Sequence, residues 1–504
     1  MKDKTKIFVA SAGTGKTTTL MKLLGECLET TPPSKIGFTT FTKAGAQEAI
    51  DRAIKQYTDY SLDDFKAFST LHALCYRRIP SKRIINWKDY QALSKVTGFR
   101  LSGAATVSKK DGSTFNSGTG DRMLYYNGLM RNMQVSAKQV LLDNPSTKVS
   151  VEELERFSKF YKEFKSHNDL YDFTDQLEQF IELDVQLDLD YLFVDEAQDL
   201  SPLQWKVVDQ LSKSVKQVYI AGDDKQSIYK FSGGDPVSLI EREGKRVVLD
   251  TSYRLPANIL DYSEKIANKI SQKQNYTINT IKPEGGVTKI KGLNDLDFSK
   301  GSWLLLCRNR AFLPYFENLL IKQRQLFVSG GDCSLFNANT IRMINLWEQL
   351  RQGYKLYVKD LKILYREYLP SGSAVARGSK KLMDSMPDLE MFDKHELSTN
   401  YGLRTTVSWD KVFKLSNTAR DILKKAEQNG TLASSGNVEI NTIHAVKGRE
   451  ADNVVVLPDM VEMTSKGFAQ DPDNEHRVFY VAVTRAMKHL YVHHPVTSRF
   501  YEMP

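Results

Sequence analysis

The feature that most constrains this chain is a glycine-rich loop, Ala10-Ser-Ala-Gly-Thr-Gly-Lys-Thr17. The apolar run Lys6–Ala10 predicts a short buried strand before the loop, and a helix is predicted over Thr17–Leu28. A strand, a glycine-rich turn and a helix in this order are typical of loops that bind the phosphates of a nucleotide. The sequence therefore predicts a nucleotide-binding α/β core here.

The residue types in this loop match the chemistry of phosphate binding. Gly13 and Gly15 allow a tight turn that points backbone N–H groups at phosphate, and Lys16 would bring a positive charge to the β- and γ-phosphates. The hydroxyl of Thr17 can ligate Mg²⁺. A small residue, Ala10, stands where the strict pattern has glycine. Nucleotide contacts are predicted for Ala10, Ser11, Ala12, Gly13, Thr14, Gly15, Lys16, Thr17 and Thr18.

Two further predicted strands end in polar side chains. Tyr191–Val194 is followed by Asp195 and Glu196. At such a strand end, Asp195 would face the Mg²⁺ ion and Glu196 would act as the base that activates water. The strand Gln217–Ala221 leads to Gln226, which could orient the attacking water or contact the γ-phosphate.

Two aromatic residues, Tyr229 and Phe231, come shortly after the same strand. They admit two interpretations from sequence. Aromatic rings beyond a strand end can stack on nucleic-acid bases, or they can pack into the core.

Alternating strands and helices predict an α/β fold with parallel sheets that carry helices on both faces. The alternation of strands and helices stops in two stretches of the chain, which are polar and mostly helical. We therefore expect two α/β cores, each interrupted by one helical insertion. The predicted units are core 1 at 1–80 and 180–248, its insertion at 81–179, core 2 at 249–335 and 436–504, and its insertion at 336–435.

Composition excludes several classes of protein. No apolar run approaches the ~18 residues that a membrane helix needs. The four cysteines form no CxxC pair, which argues against a zinc ribbon, an iron–sulfur cluster or a disulfide framework and predicts a reduced, cytoplasmic compartment. The net charge of +9 is a mild indication of a polyanionic partner.

The motifs taken together resemble the UvrD/Rep family of superfamily 1 DNA helicases. The resemblance extends over about residues 6–490 and is specific because several motifs occur in the family's order. Besides the loop, they are Thr40–Glu48, Ser69–Cys75, Tyr171–Leu177, Asp195–Gln204, Ser252–Arg254, Leu304–Asn309, Thr442–Glu450 and Tyr480–Ala486.

The resemblance implies two RecA-like cores that clamp Mg-ATP, and movement along single-stranded DNA in the 3′→5′ direction. Arg254 and Arg485 would place guanidinium groups on the γ-phosphate, Tyr253 would stack on adenine and Glu450 would bind the ribose, with Gly448 also at the nucleotide. The implied catalytic set is Lys16, Glu196, Gln226, Arg254 and Arg485. The implied DNA-contacting set is Phe41, Thr42, His72, Tyr229, Phe231, Thr442 and His444. A purely structural histidine remains an alternative for His72 and His444.

The chain departs from the family pattern at several places, among them Val446 and Arg449 in the stretch Thr442–Glu450. The family usually has a glutamine upstream of the loop that reads adenine, whereas the nine residues that precede the loop contain none, so nucleotides other than ATP are expected to be used. Ser252 stands where asparagine is usual. The compact size also leaves a viral or mobile-element origin open, in which case the compartment is the host cytoplasm.

The sequence leaves two other functions open. One is a DNA-stimulated ATPase subunit of a repair, replication, recombination or defence complex that unwinds little by itself. The other is a metabolic P-loop kinase, which explains neither Arg485 nor a second core. The expected nucleic-acid partners are single-stranded DNA and junctions between single and double strands, and no membrane partner is expected.

Overall fold

The computed structural model describes residues 2–103, 118–143, 149–330, 339–430, 432 and 437–504. Cys333 and the predicted boundaries at 335 and 435 lie outside these residues. The strands are Thr5–Val9 (β1), Ile36–Thr40 (β2), Phe68–Thr70 (β3), Arg83–Ile84 (β4), Leu170–Tyr171 (β5), Tyr191–Val194 (β6), Gln217–Gly222 (β7), Lys245–Val248 (β8), Thr251–Pro256 (β9), Asn279–Lys282 (β10), Gly286–Ile290 (β11), Trp303–Cys307 (β12), Val328–Ser329 (β13), Leu356–Tyr357 (β14), Met391–Phe392 (β15), Val438–Thr442 (β16), Ala451–Leu457 (β17) and Ala486–His493 (β18).

Helices connect these strands. The α-helices are Lys16–Leu28 (α1), Lys43–Gln56 (α2), Leu71–Tyr76 (α3), Trp87–Thr97 (α4), Thr119–Met133 (α5), Ala137–Leu142 (α6), Val151–His167 (α7), Phe173–Glu182 (α8), Pro202–Ser212 (α9), Pro236–Ile240 (α10), Ala257–Ala267 (α11), Leu313–Lys322 (α12), Thr340–Gln352 (α13), Val358–Ile363 (α14), Ser379–Asp384 (α15), Lys394–Asn400 (α16), Trp409–Val412 (α17), Asn417–Gln428 (α18), Glu462–Gln470 (α19) and Pro472–Val483 (α20).

The first core is built on a six-stranded sheet in the order β3-β2-β6-β7-β1-β8, in which every pair is parallel. Its central strands are apolar runs, as expected when helices cover both faces of a parallel sheet. Strands β6, β7 and β1 are neighbours, so their carboxyl ends meet at one edge. Ligands of open α/β sheets bind beyond the carboxyl ends of the strands, and this edge therefore carries the glycine-rich loop, Asp195 and Gln226.

The second core is built on another six-stranded parallel sheet, in the order β11-β18-β17-β12-β16-β13. Together the two sheets confirm the predicted α/β fold with two parallel-sheet cores. A separate pair, β9 and β10, precedes this sheet in the chain. Helix α11, which follows β9, packs with α20 through a shared apolar cluster.

Two groups of helices have apolar clusters of their own. Helices α4–α7 surround Leu93, Met123, Leu154 and Phe157, and helices α13–α18 surround a larger cluster with Trp347 and Trp409 at its centre. Helix α8 instead buries Leu177 and Phe180 among residues of the first core. The predicted boundary at residue 180 therefore falls inside α8, and the rest of the domain division stays a prediction.

Candidate active site

A cavity of about 720 Å³ opens between the two cores. The predicted nucleotide and catalytic residues that line it are Ser11, Gly13, Thr14, Gly15, Lys16, Thr17, Thr18, Glu196, Gln226, Tyr253, Arg254, Gly448, Glu450 and Arg485. Three predicted residues, Ala10, Ala12 and Asp195, are buried and are not part of this lining. The predicted residues from six separate stretches of sequence thus converge on one cavity of a size suited to a nucleotide.

The glycine-rich loop has the backbone that its sequence predicts. Gly13 and Gly15 have φ angles of 73° and 80°, in the left-handed region that glycine adopts without strain. Helix α1 begins at Lys16, so the positive end of its dipole points from the loop into the cavity. The arrangement is suited to holding a polyphosphate.

The residues predicted to hold Mg²⁺ lie together. The Thr17 hydroxyl donates to Asp195 Oδ2 at 3.1 Å, and the Glu196 amide donates to Asp195 Oδ1 at 2.8 Å. Burial and the neighbouring charge of Glu196 raise the pKa of Asp195 to about 6. A hydroxyl and a carboxylate are oxygen donors of the kind that Mg²⁺ prefers, so the residues present fit this ion.

Glu196 has the environment of an ionised base. Burial alone would raise its pKa, but the positive charges of Lys16 and Lys447 outweigh burial and hold the pKa below its usual value. The Gln198 amide also donates to its carboxylate at 2.5 Å. The backbone φ of Glu196 is 52°, which is unusual for a residue with a side chain. Such backbone strain is concentrated at functional sites. The carboxylate is therefore ionised at neutral pH and faces the cavity.

Gln226 joins the two cores at the cavity wall. Its amide nitrogen donates to Asp223 Oδ2 at 2.6 Å, and its amide oxygen accepts from the Arg485 guanidinium at 2.9 Å. Arg485 is buried between α20 and β18, and burial together with the charge of Arg254 lowers its pKa to about 9. The guanidinium is still charged at neutral pH. A cation of the second core is thus held against the first core.

Arg254 and Glu450 form an ion pair with each other inside the cavity. The resemblance implies that each side chain faces the nucleotide, Arg254 at the γ-phosphate and Glu450 at the ribose. Both residues line the cavity, so the pair lies in the wall where a nucleotide is expected.

Lys447 is a site residue that the sequence prediction missed. Its ammonium group donates to the Gln226 carbonyl at 2.7 Å and forms an ion pair with Asp199. It also lies 4.9 Å from the centre of the Tyr229 ring. The available signal was its position directly before Gly448, inside a motif already recognised.

Four of the seven residues predicted to contact DNA form one aromatic cluster, which we call the aromatic track. The rings of Phe41 and Tyr229 are nearly parallel with centroids 5.1 Å apart. Phe231 lies 5.9 Å from Tyr229 and 5.8 Å from His444. Phe41, Tyr229 and Phe231 are half-buried, which is compatible both with packing and with contact to a base.

His444 is the fully buried member of the aromatic track. Its Nδ1 atom has no hydrogen-bond partner among the described residues. Burial and the nearby Arg308 hold the pKa of His444 well below its usual value, so the ring is neutral. Thr442, also buried, ends strand β16 just before it.

The other two predicted residues lie outside the track. His72 meets the exposed ring of Phe173 edge-on, at 6.5 Å between centroids. The Thr42 hydroxyl accepts from the Gly45 amide at 3.0 Å and caps helix α2. The structure thus gives Thr42 a local structural role.

Comparison with known protein families decides the assignment. Residues 2–246 match the UvrD/REP helicase N-terminal domain, and residues 376–495 match the UvrD-like helicase C-terminal domain. The two matches cover more than half of the chain. This chain belongs to the UvrD/Rep helicase family. By family it is an ATP-hydrolysing DNA helicase of superfamily 1.

Individual relatives of this helicase are distant. It is 22% identical to the putative ATP-dependent DNA helicase YjcD of Bacillus subtilis, over 98% of this chain and 77% of YjcD. It is 26% identical to the ATP-dependent DNA helicase PcrA of Leuconostoc citreum, over 53% of this chain and 37% of PcrA. It is 25% identical to the ATP-dependent DNA helicase Rep of Buchnera aphidicola, over 52% of this chain and 41% of Rep. The chain thus spans less than half the length of the last two.

Within the described ranges of this helicase, none of the helices combines the length and the apolar character required to cross a lipid bilayer.

At Gly13 the second core packs directly against the loop. A Cβ atom at this position would lie 2.3 Å from Arg254 Cβ. We expect Gly13→Ala to lower ATP turnover by roughly 10-fold or more, because it adds a clash to the backbone strain. Gly98→Ala is the matched control, since Gly98 has φ +72° but nothing within 4 Å. Equal effects of both substitutions on turnover would contradict the close approach.

Proposed function

We propose that this protein hydrolyses Mg-ATP in the cavity between its cores and uses the reaction to move 3′→5′ along single-stranded DNA and unwind duplex ahead of it. One observation carries the proposal. Gln226 contacts Arg485 at the cavity, and three residues further on Tyr229 packs in the aromatic track. A single short segment therefore reaches both the nucleotide cavity and the expected DNA surface.

The proposed chemistry follows from the charges around the cavity. Lys16 would bind the β- and γ-phosphates, and Glu196 would accept a proton from the attacking water. Arg485 would stabilise the negative charge that develops on the transferred phosphoryl group. Thr17 and Asp195 would hold Mg²⁺, which neutralises charge on the phosphate oxygens when it is bound.

In the proposed complex, DNA is bound by base stacking and by contacts between positive charges and phosphates. Bases would stack on half-buried rings of the aromatic track, which need no particular base because every base has a π-face. Lys and Arg side chains of a chain with net charge +9 would contact the phosphates. The direction of movement rests on family resemblance.

The test uses two assays on the purified chain. ATP turnover is measured with and without single-stranded DNA, and strand displacement is measured on duplexes with either a 3′ or a 5′ single-stranded tail. We expect stimulated turnover and displacement of the 3′-tailed duplex only. Stimulation of ATP turnover by DNA without strand displacement would favour the ATPase-subunit alternative. ATP turnover that does not change when DNA is added would contradict the proposal.

Phe231 provides a prediction about the track. Phe231→Ala should weaken binding to single-stranded DNA by about tenfold at fixed salt, because stacking of one base on an aromatic ring contributes ~1–3 kcal/mol. Basal ATP turnover should be preserved and unwinding lost. DNA affinity, basal turnover and melting temperature are measured on the same protein.

The alternative for Phe231 is that its ring serves only core packing. In that case the substitution lowers the melting temperature and basal turnover together. Tyr354→Ala is the control, because Tyr354 is an exposed aromatic residue outside the track. A folded Phe231→Ala protein with unchanged DNA affinity would remove Phe231 from the DNA surface.

A further inference from the structure

The second core forms hydrogen bonds to the glycine-rich loop Ala10–Thr17, which we call the phosphate loop. Four consecutive loop residues each form a hydrogen bond to that core. The pairs are Tyr276 Oη to Ala10 O (2.6 Å), Tyr480 Oη with Ser11 Oγ (2.6 Å), Ser252 Oγ to Ala12 O (2.9 Å) and Tyr253 N to Gly13 O (2.9 Å).

These bonds control how the loop presents its N–H groups. A peptide unit is planar and trans, so the carbonyl of one residue and the N–H of the next point in opposite directions. A hydrogen bond that fixes the Ala12 carbonyl therefore also fixes the N–H of Gly13, which lines the cavity. The bonds to the Ala10 and Gly13 carbonyls fix the N–H groups of Ser11 and Thr14 in the same way, and these two N–H groups donate inside the loop, to Thr14 Oγ1 and to the Ser11 carbonyl. Contacts with the second core thus set the Gly13 donor at the cavity and the shape of the turn around it.

The two tyrosines reach the loop from separate parts of the second core. Tyr276 lies between α11 and β10, and the ammonium group of Lys225 lies 4.6 Å from the centre of its ring. Lys225, from the first core, is itself paired with Glu264 on α11 at 3.0 Å. The Tyr276 hydroxyl is thus located by contacts with both cores.

Tyr480 lies near the end of α20 and is fully buried. Its hydroxyl lies 2.6 Å from Ser11 Oγ inside the loop. The same helix leads to Arg485, which contacts Gln226. Helix α20 therefore carries the hydroxyl that fixes the loop, and the arginine at the cavity follows two residues after the helix ends.

We propose that Tyr276 and Tyr480 are positioning residues for ATP hydrolysis, whose hydroxyls hold the phosphate loop in its binding geometry only while the two cores are closed on each other. Separation of the cores breaks the hydrogen bonds of both hydroxyls to the loop, and the loop then binds phosphate more weakly. Closure then assembles the phosphate site, and opening promotes release of the product. This inference rests on the proposed ATP hydrolysis.

The test replaces each tyrosine by phenylalanine, which removes the hydroxyl and keeps the ring. On single-stranded DNA, Tyr480→Phe and Tyr276→Phe should each lower kcat/KM for ATP about tenfold, as expected for the loss of one partner of a buried hydrogen bond. Dissociation of fluorescently labelled ADP should become faster in both. Tyr262→Phe is the control, since its hydroxyl bonds to the Pro504 carbonyl, away from the loop, and its kinetics should match those of the unmodified protein.

A double substitution separates positioning from stability. In Tyr480→Phe the Ser11 hydroxyl loses its tyrosine partner, and adding Ser11→Ala removes that unpaired group. We expect the double variant to regain melting temperature while kcat/KM stays low and ADP release stays fast. Recovery of turnover together with melting temperature would show a purely structural bond and overturn the inference.

The unmodified protein separates this inference from the proposed function. If the unmodified chain does not hydrolyse ATP on DNA, the proposed function fails. If it does, and both phenylalanine variants match it in kcat/KM and ADP release, the positioning role alone is wrong.

Discussion

Glu196→Gln should bind ATP as well as the unmodified protein does and hydrolyse it at least ~100-fold more slowly, the usual contribution of a general base. The substitution keeps the shape of the side chain and leaves Thr17 and Asp195 in place. It removes the carboxylate that Lys16 and Lys447 keep ionised. Only the hydrolysis step, which needs a proton acceptor, should therefore become slower.

Two comparisons sharpen this prediction. Lys16→Ala should lose both nucleotide affinity and turnover, because Lys16 lines the phosphate end of the cavity. Glu48→Gln should change turnover by less than ~3-fold, since Glu48 lines the same cavity but is exposed and paired with Arg52. ATP binding at equilibrium and single-turnover hydrolysis are measured on all three. Turnover of Glu196→Gln like that of the unmodified protein would exclude Glu196 as the base.

The central strands could be predicted from sequence because they are short apolar runs bounded by polar residues. The bounds predicted for Tyr191–Val194 are those of β6, and the strand predicted over Gln217–Ala221 is one residue shorter than β7. The first strand was predicted one residue late, over Lys6–Ala10. Ala10 still donates to Gly222 O at 3.1 Å, but it already belongs to the loop. Parallel strands buried on both faces carry a strong local signal.

The contacts between the cores could not be predicted, because they join residues that are far apart in sequence. Tyr276 belongs to none of the recognised motifs, yet its hydroxyl bonds to the Ala10 carbonyl. Tyr480 lies within a motif, but a motif does not say that its partner is Ser11. The pairing of Arg254 with Glu450 is likewise a result of tertiary packing. Motifs identify which residues have special chemistry, and packing decides which of them meet.

The predicted site residues also fall into two groups, those whose positions follow from local sequence and those whose positions do not. The loop residues, Glu196 and Gln226 follow neighbouring strands, so their convergence on one edge follows from parallel topology. His72 and Thr42 were placed on the DNA surface by resemblance alone. In the structure Thr42 caps α2 and His72 packs against Phe173. Their contact with DNA stays a prediction.

Arg485→Ala should lower kcat for ATP on single-stranded DNA by ~10³-fold or more, the range found for arginines that stabilise phosphoryl transfer. KM should change by less than ~3-fold, because the guanidinium acts mainly on charge that develops in the transition state. Arg485 comes from the second core, and its contact with Gln226 places it at the wall of the cavity. The expected loss therefore requires both cores to act on one nucleotide.

Because Arg485 is fully buried, its removal also leaves Gln226 and the Val481 carbonyl without this donor. Arg485→Lys keeps the positive charge and most of the volume but lacks the planar fork that bonds to Gln226 and a phosphate together. We expect it to fold and still lose most of kcat. Arg477→Ala is the matched control. Arg477 is a buried arginine on helix α20, which ends two residues before Arg485. It donates to the Asp224 carbonyl of the first core at 3.0 Å and lies outside the cavity lining. If Arg477→Ala and Arg485→Ala lowered kcat equally at similar melting temperatures, the effect would come from core docking, and the assignment of Arg485 to the transition state would be wrong.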